Sequence, residues 1–430
     1  MSFIADLHIH SRYSRATSPD MSPETLWRWA QLKGLQVIGT GDFTHPGWLT
    51  ELKEKLVPSD NGLLVLKKEF ENRDNVPEPC RSQVYFMLTG EVSCIYNKKG
   101  RLRKVHSLIL APSFLEVMEL NKRLSRIGSL SADGRPILGL DAKELLKIVL
   151  DISEDILLIP AHAWTPHFSV FGAESGFDSL EECFEELTPF VYAIETGLSS
   201  DPPMNWRLSS LDRITLISNS DAHSPGKIGR EANIFQIGGE SNSSGLSYKE
   251  IINSIKTKKG FKGTIEFFPE EGKYHFDGHR TCGVRLSPGE TIKHNYQCPV
   301  CGRPVTVGVM HRVERLADRQ EGFRPPSAPE FFSIIPLPEI LAEVMNVGVN
   351  SKKVETEYLR LLSKFGNEFR ILMDLPLNEI EGEAPLLREA IERMRTGKVY
   401  IAPGYDGEYG KVRIFEEPER IELKGQVSLF

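Results

Sequence analysis

At 430 residues the chain is long enough for two or three domains. Its 40% apolar and 26% charged content is that of an ordinary globular protein, and no run of 18 apolar residues offers a membrane span. The net charge of −7 by itself argues against a nucleic-acid partner, and the opening MSFIADLHIHS lacks the charged and apolar segments of a secretory signal, so a cytoplasmic protein is expected.

Phe3 to Leu7 reads as a strand. Ser22-Pro23-Glu24 then opens a helix, with serine as N-cap and proline in the first turn; Gly34 ends it. Leu35–Thr40 is the next strand, and strands at Tyr85–Thr89, His106–Leu110, Leu157–Pro160, Val191–Glu195 and Ile214–Ser218 follow, separated by helical stretches. Strands alternating with helices predict a parallel sheet, here an α/β barrel over residues 1–265. The rhythm stops after Ile265. Residues 266–324 are rich in His, Cys and Arg and form a second unit; RPPSAPE (Arg324 to Glu330) reads as a linker or turn. Residues 325–430 form a mainly helical third region, with helical patterning at Glu355–Phe365 and Pro385–Arg395 and two short closing strands around a Gly/Asp turn.

Six of the seven strands end in, or within a few residues of, a His, Asp or Glu; the seventh carries His106 at its start. Strand C-termini face the active site of an α/β barrel, so acids and histidines gathered there point to chemistry rather than to turns. Asp6-Leu7-His8-Ile9-His10-Ser11 puts two histidines at i and i+2, on one side of an extended chain. An HxH pair alone is weak. It gains weight from Asp221 and His223 in SNSDAH, which repeat that spacing after another strand, and from Asp42, His45, Glu91, His106 and His162 between them. His106 standing alone would be a core histidine, and His167 matches no pattern. Imidazoles with carboxylates suit zinc or manganese more than calcium. Arg12 and Arg15, just after the histidine pair, are candidate phosphate contacts, with surface charge as the plain alternative. Trp48 and Trp164, which follow these motifs, are candidates to line a pocket.

This pattern resembles the polymerase-and-histidinol-phosphatase (PHP) superfamily over residues 1–265. The resemblance implies a distorted β/α barrel holding two or three zinc ions. His8, His10, Glu91 and Asp221 would hold the first, and Glu91 would bridge to a second held by His106 and His162. His45 and His223 would contribute to a third, with Glu91, Asp221 and His223 as catalytic residues. The family usually adds an acid or histidine near Ser14 to Ala16, where this chain has Arg15. A multinuclear centre of this kind activates water for attack on phosphorus.

The six cysteines include a cluster of three. His279-Arg-Thr-Cys282 and Cys298-Pro-Val-Cys301 form two paired-ligand turns, the usual construction of a closed structural zinc site. His279 has the best spacing for the fourth ligand; His294 and His311 are alternatives. Residues 272–324 carry nine Lys/Arg against five Asp/Glu, so a DNA-facing surface that includes Arg280 and Arg303 is expected there in addition. The KKGRLRK run at Lys98–Lys104 is a second basic patch or simply a solvated hairpin tip.

A PHP-type barrel followed by YHFDGHRTCGVRLSP, then CPVCGRPVTVGVMHRVERLADR and a helical region, resembles the endonuclease Q family over nearly the whole chain. The resemblance implies nicking of DNA on the 5′ side of deaminated bases or abasic sites, damaged DNA as partner, and activity supported by manganese or magnesium as well as zinc. Two other readings explain part of the sequence. A phosphatase of small monoesters fits the barrel without the zinc module, and a non-catalytic DNA-binding protein fits the module without the ligand set.

Overall fold

The seven segments expected as strands all form strands in the computed structural model, which describes residues 2–238, 245–383, 386–416 and 419. Ser2–Asp6 pairs in parallel with Val37–Gly39, and that strand in turn with Tyr85–Lys98. The next strand differs from the expected parallel rhythm. Tyr85–Lys98 runs far past Thr89 and returns as Arg101–Ala111 in a long antiparallel hairpin. Lys99 and Gly100 make the turn with φ of 51° and 75°, the double positive φ that a two-residue hairpin requires. This explains why His106 sits mid-strand, opposite Ser93, rather than at a strand end.

Leu157–Pro160 continues the sheet beside Arg101–Ala111, and Ala193–Glu195 pairs in parallel with Thr215–Ile217. A parallel bridge from Ile9 to Ala222 brings the first and last of these strands together and closes the barrel. Alternate side chains, among them Phe3, Ala5, Leu7, Met87, Leu108, Leu110, Ile159 and Ile217, pack on one another as a buried inner cluster. The opposite faces join a larger core shared with the surrounding helices. The helix expected after Ser22 is Pro23–Lys33, with the Ser22 side chain accepting from Thr25 N and Gly34 as a left-handed C-cap.

The sheet also extends beyond the barrel. Ala232–Gln236 and Phe261–Glu266 add antiparallel strands, and Glu330–Ser333, from the region expected to be mainly helical, pairs in parallel with Phe261–Glu266. The cysteine-rich segment forms a small hairpin, Asp277–His279 with Val284–Leu286, and two short helices. It has a small buried apolar cluster of its own, Leu286, Cys298 and Val305, while Val309 and Val313 join the main core. Helices Leu337–Met345, Lys352–Phe365 and Leu387–Arg395 and the closing hairpin Tyr400–Ala402 with Lys411–Arg413 follow. The helix start expected at Pro385, and most of the tail from 417 on, lie outside the described residues.

Candidate metal centre

Strand ends, together with Glu91 and His106 from within the long hairpin, gather acids and histidines at one place in the barrel. Three groups have ligand atoms within 4.8 Å of one another: His8, His10 and Glu91; Glu91, His106 and His162; and His10, Asp221 and His223. Glu91 connects the first two. Its Oε2 lies 3.6 Å from His8 Nε2 and 3.3 Å from His10 Nε2, and its Oε1 lies 2.8 Å from His106 Nδ1 and 3.1 Å from His162 Nε2. Asp221 Oδ1 is 3.0 Å from His10 Nε2 and 3.8 Å from His8 Nε2.

These residues fit metal ions on a specific ground. His8 Nε2, His10 Nε2 and Asp221 Oδ1 are buried polar atoms without a hydrogen-bond partner, although they face one another. Such atoms are costly to bury unless something else satisfies them. Donors bound to one ion at about 2.1 Å with tetrahedral angles lie about 3.4 Å apart, and the 3.0–3.8 Å spacings here match.

Electrostatics point the same way. Burial would depress the His8 and His10 imidazoles, yet the Glu195 and Glu91 carboxylates beside His8, and Asp42 and Asp221 beside His10, lift both well above their ordinary value. A site that draws protons onto buried rings is one whose acids call for positive charge. Burial brings His106 down to about 4 against the pull of Glu91, so it is neutral and ready to donate a lone pair at pH 7.

Outside the ligand groups, acids fix the rings. His8 Nδ1 lies 3.0 Å from both oxygens of Glu195, which also accepts from His162 N at 2.8 Å and Asn219 Nδ2 at 2.9 Å. His10 Nδ1 is 2.9 Å from Asp42 Oδ1, while Asp42 Oδ2 accepts from Ser11 N, Ser11 Oγ and Ser14 Oγ. Carboxylates behind ligating imidazoles set their tautomer and orientation. Asp42, His162 and Asp221 have φ of 48°, 31° and 47°, unusual for residues with side chains. Strain of about 1–3 kcal/mol each persists only where neighbours impose it, and it concentrates at functional sites. At His162 the neighbour is Gly197, where a Cβ would lie 2.6 Å from the His162 Cβ.

Several expected residues are placed elsewhere. His45 joins none of the three groups: its Nδ1 accepts from Trp48 N at 3.4 Å as the N-cap of Pro46–Lys55, and its ring stacks on Tyr13 at 4.4 Å. Trp48 and Trp164 are fully buried, with indole N–H groups donating to Gly41 O and Asn205 Oδ1, and so are packing residues rather than pocket walls. Arg12 pairs with Glu51, and the Arg15 side chain is 89% exposed. Two residues with no sequence signal join the site. Arg135 Nη1 donates to Glu91 Oε2 at 2.9 Å, and Gly134 packs against Asp42 and Ser14.

At the second cluster His279, Cys282, Cys298 and Cys301 come together, with Cys301 Sγ 3.7 Å from His279 Nδ1. His311 is taken by Asp277 and Tyr296, and His294 caps a helix, so His279 is the fourth member. Burial would raise the Cys298 thiol, but the backbone N–H groups of Cys301 and Val300 hold it below its usual value, the arrangement of a thiolate in a knuckle. Arg280 and Arg303 are exposed on this module. Lys99 and Arg101 at the hairpin tip are exposed too, above a cavity of about 620 Å³ that Arg103 and Arg315 also line.

Compared with known proteins, the chain is 33% identical to the lesion-specific endonuclease PfuEndoQ of Pyrococcus furiosus, with a TM-score of 0.83 over 97% of this chain and 96% of that one. The chain belongs to the endonuclease Q family. A solved complex of endonuclease Q with a 27-mer duplex, carrying an abasic lesion at the active site, superposes with a TM-score of 0.81 over 97% of this chain and 98% of that chain at 33% identity. Residues 336–398 match the family MJ0043 C-terminal domain. The uncharacterized protein MJ0043 of Methanocaldococcus jannaschii is 33% identical over 269 residues, which is 61% of this chain but only 32% of that relative. No helix among the described residues is long and apolar enough to cross a membrane.

Proposed function

We propose that the protein is a metal-dependent DNA-repair endonuclease that hydrolyses the phosphodiester 5′ to a deaminated base (uracil, hypoxanthine or xanthine) or an abasic site. The observation that carries this reading is the end-to-end match, barrel, zinc module and C-terminal region together, to an endonuclease Q whose duplex holds an abasic lesion at the active site. Two ions are assigned to His8, His10, Glu91 and Asp221 and to Glu91, His106 and His162, with His223 completing a third group. Zinc or manganese suits these nitrogen and carboxylate donors, and zinc suits the Cys3His cluster. Ions in the barrel would supply Lewis acidity, activating water near neutral pH and offsetting charge on the phosphate. Glu195 and Asp42 hold the His8 and His10 rings in orientation.

In the reaction a water oxygen bonds to phosphorus, the P–O3′ bond breaks, and one water proton ends on O3′. The products are a 3′-hydroxyl and a 5′-phosphate. A damaged nucleotide leaves the stack at lower cost than an intact pair, which favours cutting at lesions. The exposed Arg280, Arg303, Lys99 and Arg101 provide phosphate contacts that position the duplex without reading it.

The test is a labelled duplex with one deoxyuridine, deoxyinosine or abasic site, incubated with the protein and manganese. A nick directly 5′ of the lesion is expected, and Asp221→Asn should abolish it. Phosphate release from small monoesters without any nick would replace this reading with that of a phosphatase; a metal-loaded protein that hydrolyses neither would be a binding protein.

A further inference from the structure

The segment Ser131-Ala132-Asp133-Gly134-Arg135-Pro136 lies between the helix Phe114–Leu124 and the short strand Ile137–Leu138. It is fixed over the metal centre at both ends. Gly134 N donates to Tyr13 O at 3.0 Å, and Gly134 O accepts from Thr44 Oγ1 at 3.0 Å. Pro136 O accepts from Ser93 N at 3.0 Å, two residues from Glu91 on the same strand. A Cβ at Gly134 would fall 2.3 Å from Ser14 Oγ and 2.4 Å from Asp42 Oδ2, so the loop sits directly on the acid that orients His10. Only glycine allows that approach.

Arg135 is thereby held between two anchors. Its Nη1 donates to Glu91 Oε2 at 2.9 Å, and its side chain is 29% exposed beside the fully buried Glu91. Among the described residues it is the only Lys or Arg paired with a carboxylate of the three ligand groups. A guanidinium has five N–H donors in a planar fork, and one bond to Glu91 leaves others for an oxyanion arriving from solvent.

Resting on the nuclease reading above, we infer that Arg135 is a catalytic residue: its remaining guanidinium N–H groups grip a non-bridging oxygen of the scissile phosphate and stabilise the charge that grows there as the water oxygen bonds to phosphorus. The loop anchored at Gly134 is the device that aims it. An aimed donor at a developing oxyanion accelerates the step by about 100- to 1,000-fold.

Arg135→Gln and Arg135→Lys test this in the full-length protein. In single-turnover nicking of an abasic duplex with manganese, Arg135→Gln should lose about 100- to 1,000-fold in the rate of chemistry. Arg135→Lys, which keeps charge without the fork, should recover part of it. Bound metal, measured by mass spectrometry, should match wild type in both. Two readouts separate a phosphate contact from a structural role. In chelator, where no nicking occurs, the slope of log Kd against log salt for the abasic duplex should fall by about one in Arg135→Gln. With the two phosphorothioate diastereomers at the scissile position, one isomer should be slowed less in Arg135→Gln than in wild type, because the contact that sulfur disrupts is already gone. An unchanged ratio for both isomers, an unchanged salt slope, or a variant that is inactive because it has lost metal would each overturn the assignment. If wild type nicks damaged duplexes and Arg135→Gln nicks as fast, only Arg135 is misassigned; if wild type nicks none, the nuclease reading falls and Arg135 with it.

Discussion

Lys33 and Glu368 join the barrel to the C-terminal helices through a buried ion pair. Lys33 Nζ lies 2.7 Å from Glu368 Oε2, and the two side chains are 2% and 3% exposed. Glu368 also accepts from Leu337 N at 3.0 Å and from Tyr358 Oη at 2.8 Å. The contact is extended by Trp29 stacked over Tyr358 at 6.3 Å and by Gly34, where a Cβ would meet Asn367 Oδ1 at 2.4 Å. Removing one partner leaves the other charged and cut off from water, which costs about 3–5 kcal/mol. Lys33→Met keeps the packing of the stem and removes the ammonium; Glu368→Gln keeps the shape and removes the carboxylate. Each alone should therefore destabilise by about 3–5 kcal/mol, whereas the double variant, with no charge left to strand, should lose clearly less than the sum. Urea unfolding followed by far-ultraviolet circular dichroism and tryptophan fluorescence measures the cycle. Single variants that cost under about 1 kcal/mol, the range of exposed pairs, would refute the burial argument, as would strict additivity in the double variant.

Glu195→Gln should lower barrel metal affinity by about 10- to 100-fold, read by competition with a chromogenic chelator, since it loosens both the His8 ring and the His162 backbone. Cys301→Ser should remove one zinc per chain while the barrel ions remain, and should lower the temperature at which the zinc module unfolds. Glu231, just before the strand Ala232–Gln236, and Glu266, at the end of its antiparallel neighbour Phe261–Glu266, are fully buried, each with one unpartnered oxygen. Burial first, then Glu266, raises the Glu231 carboxyl well above 4.5, so it is protonated in the folded state where the unfolded chain would ionise. Stability from this group is complete below pH 4.5 and is lost as pH rises toward the folded pKa, by about 1.4 kcal/mol per unit of elevation. Glu231→Gln should thus match wild type in urea unfolding near pH 4 and exceed it at pH 8; equal stability at both would contradict a protonated pair.

The parts of this molecule that were legible in the sequence are those encoded by local spacing. His8 and His10 reach one centre because two residues of extended chain return a side chain to the same side, and Asp221 and His223 repeat the device across the barrel closure. Cys298 and Cys301 meet for the same kind of reason. His106 broke the strand-end pattern, and the break itself was informative: Lys99-Gly100 makes a hairpin, so its strand runs the other way and presents a mid-strand residue to Glu91. His45 shows the limit of pattern reading, because a histidine after a strand and before a proline is equally a helix N-cap, and local hydrogen bonding takes that role here. Glu195 was visible as an acid at a strand end, but its task depends on His8, 187 residues away in sequence. Arg135 had no pattern at all. What places it is Gly134, a residue whose contribution is the absence of a side chain against Asp42 and Ser14, and whose meaning exists only once those three segments have come together. Ligand sets recur with the period of a strand, whereas the residue that meets the substrate is set by where a loop can approach; the first kind of information lies along the chain and the second lies across it.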